Sequence, residues 1–322
     1  MMTKRLLRIE AAHGETALGL WEMPPVGPVI HPPVLLVHGA TFGSALFDLP
    51  LAGYSLMQAL AGGGRVVYAI DVRGYGASNG NSVMNSPPAA HPPFSRARQA
   101  IEDIGVAVSE IRRRQSVRAI DLIGFSWGTI TAGWYASEHV AEIRRLVLYA
   151  PVFAEKNTMW LDRIGDPADR SKLAGHFGAY RLITMADVIA RWDSDTAGNP
   201  QDVREDGVVE SLFEAAVRLD ALAGSRQPPA FRCPNGAFAD LIEVFNGRPL
   251  YDPGTIEAPV LLVRGERDTT STASDMRRLE AAIGSAEKSW LEIPDGSHFL
   301  CIEKNHMNLH RAITAYLAMD WV

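Results

Sequence analysis

Apolar and polar positions along the chain change period several times, and those changes divide it. Residues 5–12 and 16–23 alternate between the two and are split by His13-Gly14, which predicts an antiparallel hairpin at a sheet edge. Pro24, Pro25, Pro28, Pro32 and Pro33 follow; lacking N–H groups for a ladder, they predict a surface connection. Val34 to Val37 is apolar throughout, as expected of a strand covered by helices on both faces. Largely apolar runs recur at 65–70, 118–123, 146–149 and 259–263, and a last strand is expected at about 289–293. Between them lie stretches of helical period at 45–61, 97–114, 129–136 and 273–284, and a C-terminal helix carrying Ile302, Leu309, Ile313 and Leu317. In 97–114, Ile101, Ile104, Val108 and Ile111 fall on one face. Strand and helix thus alternate in the order that builds a doubly wound, mostly parallel α/β sheet.

The rhythm breaks near Pro151. From there the pattern is mostly amphipathic helix, clearest over 208–222, with turn signals at Gly165-Asp166-Pro167, Gly198-Asn199-Pro200 and Pro228-Pro229. The strand pattern resumes at 259–263, so 152–250 is expected to be an insertion into a core made of 1–151 and 251–322. Trp160, Trp192, Phe213 and Phe245 are expected mostly in the insertion's own core, with a minority of its aromatic residues lining a cavity.

Reactive side chains gather where strands end. The run 118–123 leads into Gly124-Phe125-Ser126-Trp127-Gly128 and then a helix, which reads as a nucleophile elbow. In such a turn the serine stands exposed at the sheet edge, and the positive end of the helix faces any charge that develops there. Arg264-Gly265-Glu266-Arg267-Asp268 follows the run 259–263, and Gly296-Ser297-His298-Phe299 follows 289–293. The carboxyl ends of parallel strands share one edge, so Ser126, Asp268 and His298 are expected to converge. The small residues of His38-Gly39-Ala40-Thr41 leave backbone N–H groups free for an oxyanion, with His38 itself hydrogen-bonding the loop. Asp71 and Arg73 are expected to tie their own loop together, and His91 to be an exposed member of the rigid loop 86–93.

Composition narrows the classes. With 322 residues, 47% apolar and 21% charged, the chain can bury a large core, and disordered or fibrous classes are excluded. A formal charge of −6 argues against a nucleic-acid partner, and the basic run Arg112-Arg113-Arg114 sits where a helix ends. Cys233 and Cys301 lie far apart without metal spacing, so neither a disulfide framework nor a metal site is expected, and a reduced cytoplasm fits best. No apolar leader and no membrane span are expected.

In order, His38-Gly39, Asp71-x-Arg73-Gly74-x-Gly76-x-Ser78, Gly124-x-Ser126-x-Gly128, Gly265-x-x-Asp268 and Gly296-x-His298 resemble the α/β-hydrolase superfamily over nearly the whole chain apart from the insertion. The resemblance implies an eight-stranded sheet, with 152–250 as a helical cap. It further implies Ser126 as nucleophile, His298 as general base and Asp268 as its acid, Glu155 and Glu266 being the alternatives for the acid. The oxyanion would be held by the backbone N–H of Trp127 and of Ala40 or Thr41, with no cofactor. A serine in place of an aspartate disfavours the epoxide-hydrolase and haloalkane-dehalogenase chemistry of similar capped relatives.

The expected partner is therefore a small-molecule substrate, a carboxylic ester or lactone, with room for a homodimer. The size of the insertion and its Met159, Trp160, Phe177, Trp192, Phe213, Phe231 and Phe238 point to a bulky, mostly apolar one. Phe125, Phe153, Trp160, Trp192 and Phe299 are the expected substrate contacts. Hydrolysis of an amide or a carbon–carbon bond by the same residues, and a non-catalytic ligand-binding member of the fold, remain as alternatives.

Overall fold

The computed structural model describes residues 3–12, 14, 16–196 and 199–319; the turn residues His13 and Gly198 lie outside the described residues. Its strands are β1 (Arg5–Glu10), β2 (Ala17–Met23), β3 (Val34–Val37), β4 (Val67–Asp71), β5 (Ile120–Phe125), β6 (Ile143–Tyr149), β7 (Tyr180–Thr184), β8 (Ala230–Pro234), β9 (Val260–Gly265) and β10 (Lys288–Ile293). Its helices are α1 (Leu56–Gly62), α2 (Ala97–Gln115), α3 (Trp127–Glu138), α4 (Thr158–Ile164), α5 (Met185–Asp193), α6 (Val208–Val217), α7 (Gly236–Phe245), α8 (Ala273–Ala282) and α9 (His306–Ala318).

Eight strands form one sheet in the order β1-β2-β4-β3-β5-β6-β9-β10, antiparallel from β1 to β4 and parallel beyond. The all-apolar strands are buried along their whole length because helices cover both faces: α1 packs with α9, and α2 with α3. Isoleucines 101, 104 and 111 and Val108 turn their shared face of α2 into this core. The chain passes from β3 one way to β4, then back across β3 to β5. Right-handed crossovers in opposite directions put α1 and α2 on opposite faces and open a crevice between the loops that leave β3 and β5.

Three local expectations are corrected. The helical stretch at 45–61 is a single 3-10 turn (Gly43–Phe47), a bridge from Asp48 to Ser55, and then α1. Pro50 cannot donate to a helix and Gly53 sits at φ +86°, while the Ser55 hydroxyl accepts the N–H of Gln58 at 3.0 Å and so starts α1 later. Asp71 and Arg73 do not pair. Asp71 accepts from the N–H groups of Ser44 (2.7 Å) and Ala77 (3.0 Å) and from Trp21 Nε1 (3.0 Å). Arg73 forks onto Asp103 of α2, with Nη2 at 2.7 Å from Oδ1. Finally, the segment between β6 and β9 is not all helix, since β7 and β8 form a two-stranded antiparallel sheet, Tyr180 opposite Pro234 and Thr184 opposite Ala230.

Candidate active site

Ser126 stands between β5 and α3 with φ 55° and ψ −121°, a strained conformation for a residue with a side chain. Its neighbours make the turn possible. A Cβ on Gly124 would lie 2.3 Å from the Gly128 carbonyl oxygen, and one on Gly128 would lie 2.5 Å from the carbonyl oxygens of Val37 and His38. Only glycine lets strand, helix and the β3 loop approach this closely. The Ser126 N–H donates to the Tyr149 carbonyl at 3.0 Å, and its own carbonyl accepts from Thr129 Oγ1 at 2.6 Å, so the turn is held from both sides.

The hydroxyl of Ser126 lies 2.9 Å from Nε2 of His298, and Nδ1 of His298 lies 2.8 Å from Oδ2 of Asp268. An ionised carboxylate only accepts, so Nδ1 carries the hydrogen and Nε2 is left to accept from the serine O–H. All three residues are buried. Burial by itself raises the Asp268 carboxyl, but the electrostatic attraction and hydrogen bond of the His298 ring, with the N–H groups of Ser271 and Thr270 on Oδ1 at 2.9 Å each, outweigh it and hold Asp268 below its ordinary range. The alternatives for the acid have other partners. Glu155 accepts from Thr272 Oγ1, and the exposed Glu266 accepts from the Asp295 N–H at 3.2 Å.

The loop of His298 is pinned by Tyr149 and Glu303. Its carbonyl accepts from Tyr149 OH at 3.0 Å, and Glu303, buried, accepts from the Ser297 N–H at 2.9 Å and from Trp192 Nε1 at 3.1 Å. The β3 loop is held in the same way. His38 Nε2 accepts from the Val72 N–H at 3.2 Å, which leaves Nδ1 to donate to the Gly39 carbonyl at 2.7 Å; burial lowers the His38 pKa and keeps this ring neutral. The Ala40 carbonyl accepts from Arg181 Nη2 (3.1 Å), Cys233 Sγ (3.1 Å) and Tyr75 OH (3.3 Å). Trp127 opens α3, so its N–H is one of the first-turn donors without an intrahelical acceptor, while its indole is buried against Asp240 Oδ2 at 3.0 Å.

A cavity of about 320 Å³ opens onto Ser126 and His298. Ala40, Thr41, Phe125 and Phe299 line it from the sheet side, and Trp160, Phe177 and Phe238 from the segment between β6 and β9. Phe125, Trp160 and Phe299 are thus where a substrate contact is expected, whereas Trp192 and Phe153 are not at the cavity wall. Trp192 is fully buried, its N–H spent on Glu303, and Phe153 packs edge-on to Tyr251 while its N–H donates to Asp275 at 2.7 Å. Three arginines, Arg163, Arg181 and Arg191, also reach the cavity and escaped the sequence reading. Arg163 lies three residues after Trp160 on α4, a spacing that puts both on one helix face and could have revealed it.

Among the described residues, no group of three or more His, Cys, Asp or Glu is placed to hold a metal ion, and no helix is long and apolar enough to cross a membrane.

An elbow serine, a histidine beyond the last strand and a carboxylate between them, on a sheet of this order, define a hydrolase class. Residues 34–306 match the model of the alpha/beta hydrolase family, and the chain belongs to that family. Among solved structures it is similar to a thermophilic esterase from Thermogutta terrifontis, at 19% identity over 97% of this chain and 98% of that one, with a TM-score of 0.62. An esterase from Exiguobacterium antarcticum is similar at 15% identity over 97% and 99% (TM-score 0.64). The enol-lactonase from Burkholderia xenovorans LB400 is similar at 17% identity over 97% and 100% (TM-score 0.63). At these identities the likeness concerns the fold. No curated protein sequence matches the chain.

Proposed function

We propose that the chain is a serine hydrolase that cleaves a carboxylic ester or lactone through an acyl-enzyme on Ser126. The observation that carries this reading is the continuous hydrogen-bonded path from the Ser126 hydroxyl through both nitrogens of His298 to Asp268. Ser126 Oγ attacks the substrate carbonyl carbon while its proton passes to His298 Nε2; Asp268 keeps the imidazole in the accepting tautomer and stabilises the imidazolium. The negative charge moves to the carbonyl oxygen, which the N–H of Trp127 and that of Ala40 or Thr41 receive. Collapse of the tetrahedral adduct breaks the bond to the leaving oxygen, which takes the proton from Nε2. Water then repeats the sequence on the acyl-enzyme and regenerates Ser126.

Residues 152–250 serve in this reading as a cap. Support comes from the cavity, one wall of which is Trp160, Phe177 and Phe238. A volume of about 320 Å³ lies near the lower end of the ~300–1,000 Å³ usual for ligand sites, which suits an aryl or medium-chain ester or a small lactone with an apolar body rather than the bulkier substrate that the size of the insertion suggests. Esterases and an enol-lactonase among the structural neighbours agree with this substrate class. The test is a hydrolysis series of p-nitrophenyl esters of increasing acyl length alongside aryl esters and lactones. The expected kcat/KM rises beyond acetate and peaks at medium length; a steady fall from acetate onward would contradict the apolar-body reading.

A further inference from the structure

The cavity at Ser126 is walled mainly by aromatic and aliphatic side chains, yet Arg163, Arg181 and Arg191 all reach it. Their surroundings differ. Arg191 is neutralised by Asp195 and donates to Thr270 Oγ1 at 3.0 Å. Arg181 spends its N–H groups on neutral acceptors, the carbonyls of Ala40 and Pro234 (3.1 and 3.0 Å) and Asn235 Oδ1 (2.9 Å). Its charge has no carboxylate partner among the described residues. Arg163 is an exposed residue that borders the cavity and makes neither an ion pair nor a hydrogen bond among the described residues. Its guanidinium lies 5.6 Å from the ring centre of Trp160, and that of Arg191 lies 5.0 Å from the same ring.

The carboxylate at this wall, Asp187, is already engaged, accepting from the N–H (2.8 Å) and the hydroxyl (2.6 Å) of Thr184 to cap α5. Asp187 keeps its negative charge, but three guanidiniums against Asp187 and Asp195 still leave one positive charge in surplus at the cavity, in a chain whose formal charge is −6. Two like charges sharing one indole repel, and burial together with Arg191 lowers the pKa of Arg163, with the nearby Asp195 offsetting only part of that effect. Arginine does not relieve such repulsion by losing its proton; an arriving anion relieves it. A planar fork with its donors unused matches a carboxylate in particular.

From this arrangement we infer that the substrate carries a carboxylate at the end remote from the scissile carbonyl, held by Arg163 at the wall above Trp160, with Arg181 adding its unneutralised charge. The inference rests on the reading of Ser126 as the nucleophile for an ester and narrows the substrate class to anionic esters or lactones. Such a carboxylate would also draw substrate into the cavity by long-range attraction.

The test separates binding from turnover. Ser126→Ala protein is titrated by calorimetry with the 4-nitrophenyl monoester of octanedioic acid and with its methyl-capped, neutral counterpart. The acid is expected to bind about 10-fold tighter, as for a partly exposed charge-assisted pair. Adding Arg163→Gln should shrink that preference to about 2-fold or less, while Arg163→Lys, which keeps the charge, should retain part of it. Equal binding of the two compounds, or a preference that survives Arg163→Gln, would overturn the inference. Nitrophenolate release by the unsubstituted protein is measured in parallel. Arg163-dependent binding of the acid without release from either compound would leave the anion subsite standing and overturn the ester reading of Ser126.

Discussion

Arg181 donates from Nη2 to the carbonyl oxygen of Ala40 over 3.1 Å, tying β7 to the loop beside Ser126. The carbonyl and the N–H of a trans peptide point in opposite directions, so fixing the Ala40 oxygen also fixes the direction of the Thr41 N–H. Arg181 is thereby a positioning residue for a candidate oxyanion donor. Loss of one such donor costs ~100-fold or more in rate, and its misalignment less. Arg181→Lys is expected to lower kcat on a neutral ester by about 10-fold or more with little change in KM. Affinity for a trifluoromethyl ketone, which forms a tetrahedral adduct, should fall in parallel. A rise in KM with kcat intact would make Arg181 a substrate contact instead.

Asp268 and Glu155 compete for the role of acid, and their hydrogen bonds favour Asp268. Asp268→Asn allows the wrong imidazole tautomer and is expected to reduce kcat by roughly 10³- to 10⁴-fold. Glu155→Gln, which alters the partner of Thr272 at the start of α8, should change kcat less than about 3-fold on the same p-nitrophenyl ester. The reverse pattern would move the acid to Glu155.

His310 on α9 gives stability a defined pH dependence. It is buried, with Nε2 donating to the Cys301 carbonyl at 3.2 Å, and burial, aided by His306, lowers its pKa to about 4 from an ordinary 6.5. Between those values the unfolded chain binds the proton and the folded chain does not. The stabilisation is therefore complete above pH ~6.5 and is lost as pH falls toward ~4, by about 3 kcal/mol. Asp268, whose pKa is depressed below 3.8, contributes a loss only at lower pH. Denaturant unfolding at pH 7.5, 5.5 and 4.5 should show a smaller drop for His310→Gln than for the unsubstituted protein. An equal drop would place the titration elsewhere.

The sheet and the three convergent side chains are legible in the sequence because most of the signals are local. A mostly apolar run marks a buried strand, and Ser126 and Asp268 each follow one closely, whereas β10, which precedes His298, is largely exposed and carries Lys288, Ser289 and Glu292, so it is legible only from its place in the alternation of strand and helix. The segment between β6 and β9 is harder to read. The short strands β7 and β8 carry Arg181 and Arg232 among their apolar residues, and neither alternates over enough length to stand out from helix. Trp192 and Trp160 look alike in sequence, and both are buried with the indole N–H engaged, by Glu303 and Thr270 respectively; only the fold shows that Trp160 borders the cavity and Trp192 does not. Arg163, on a short amphipathic helix, reads as part of a solvated face; it is exposed, and only the fold shows that it also borders the cavity.

The most direct test of Ser126 as nucleophile is covalent capture. Protein treated with a fluorophosphonate probe is analysed by intact mass and peptide mapping, beside Ser126→Ala and His298→Ala variants whose folding is checked by far-UV circular dichroism. The expected result is a single adduct on Ser126, absent from Ser126→Ala and formed far more slowly in His298→Ala. No adduct on the unsubstituted protein, or an equal adduct on Ser126→Ala, would contradict it.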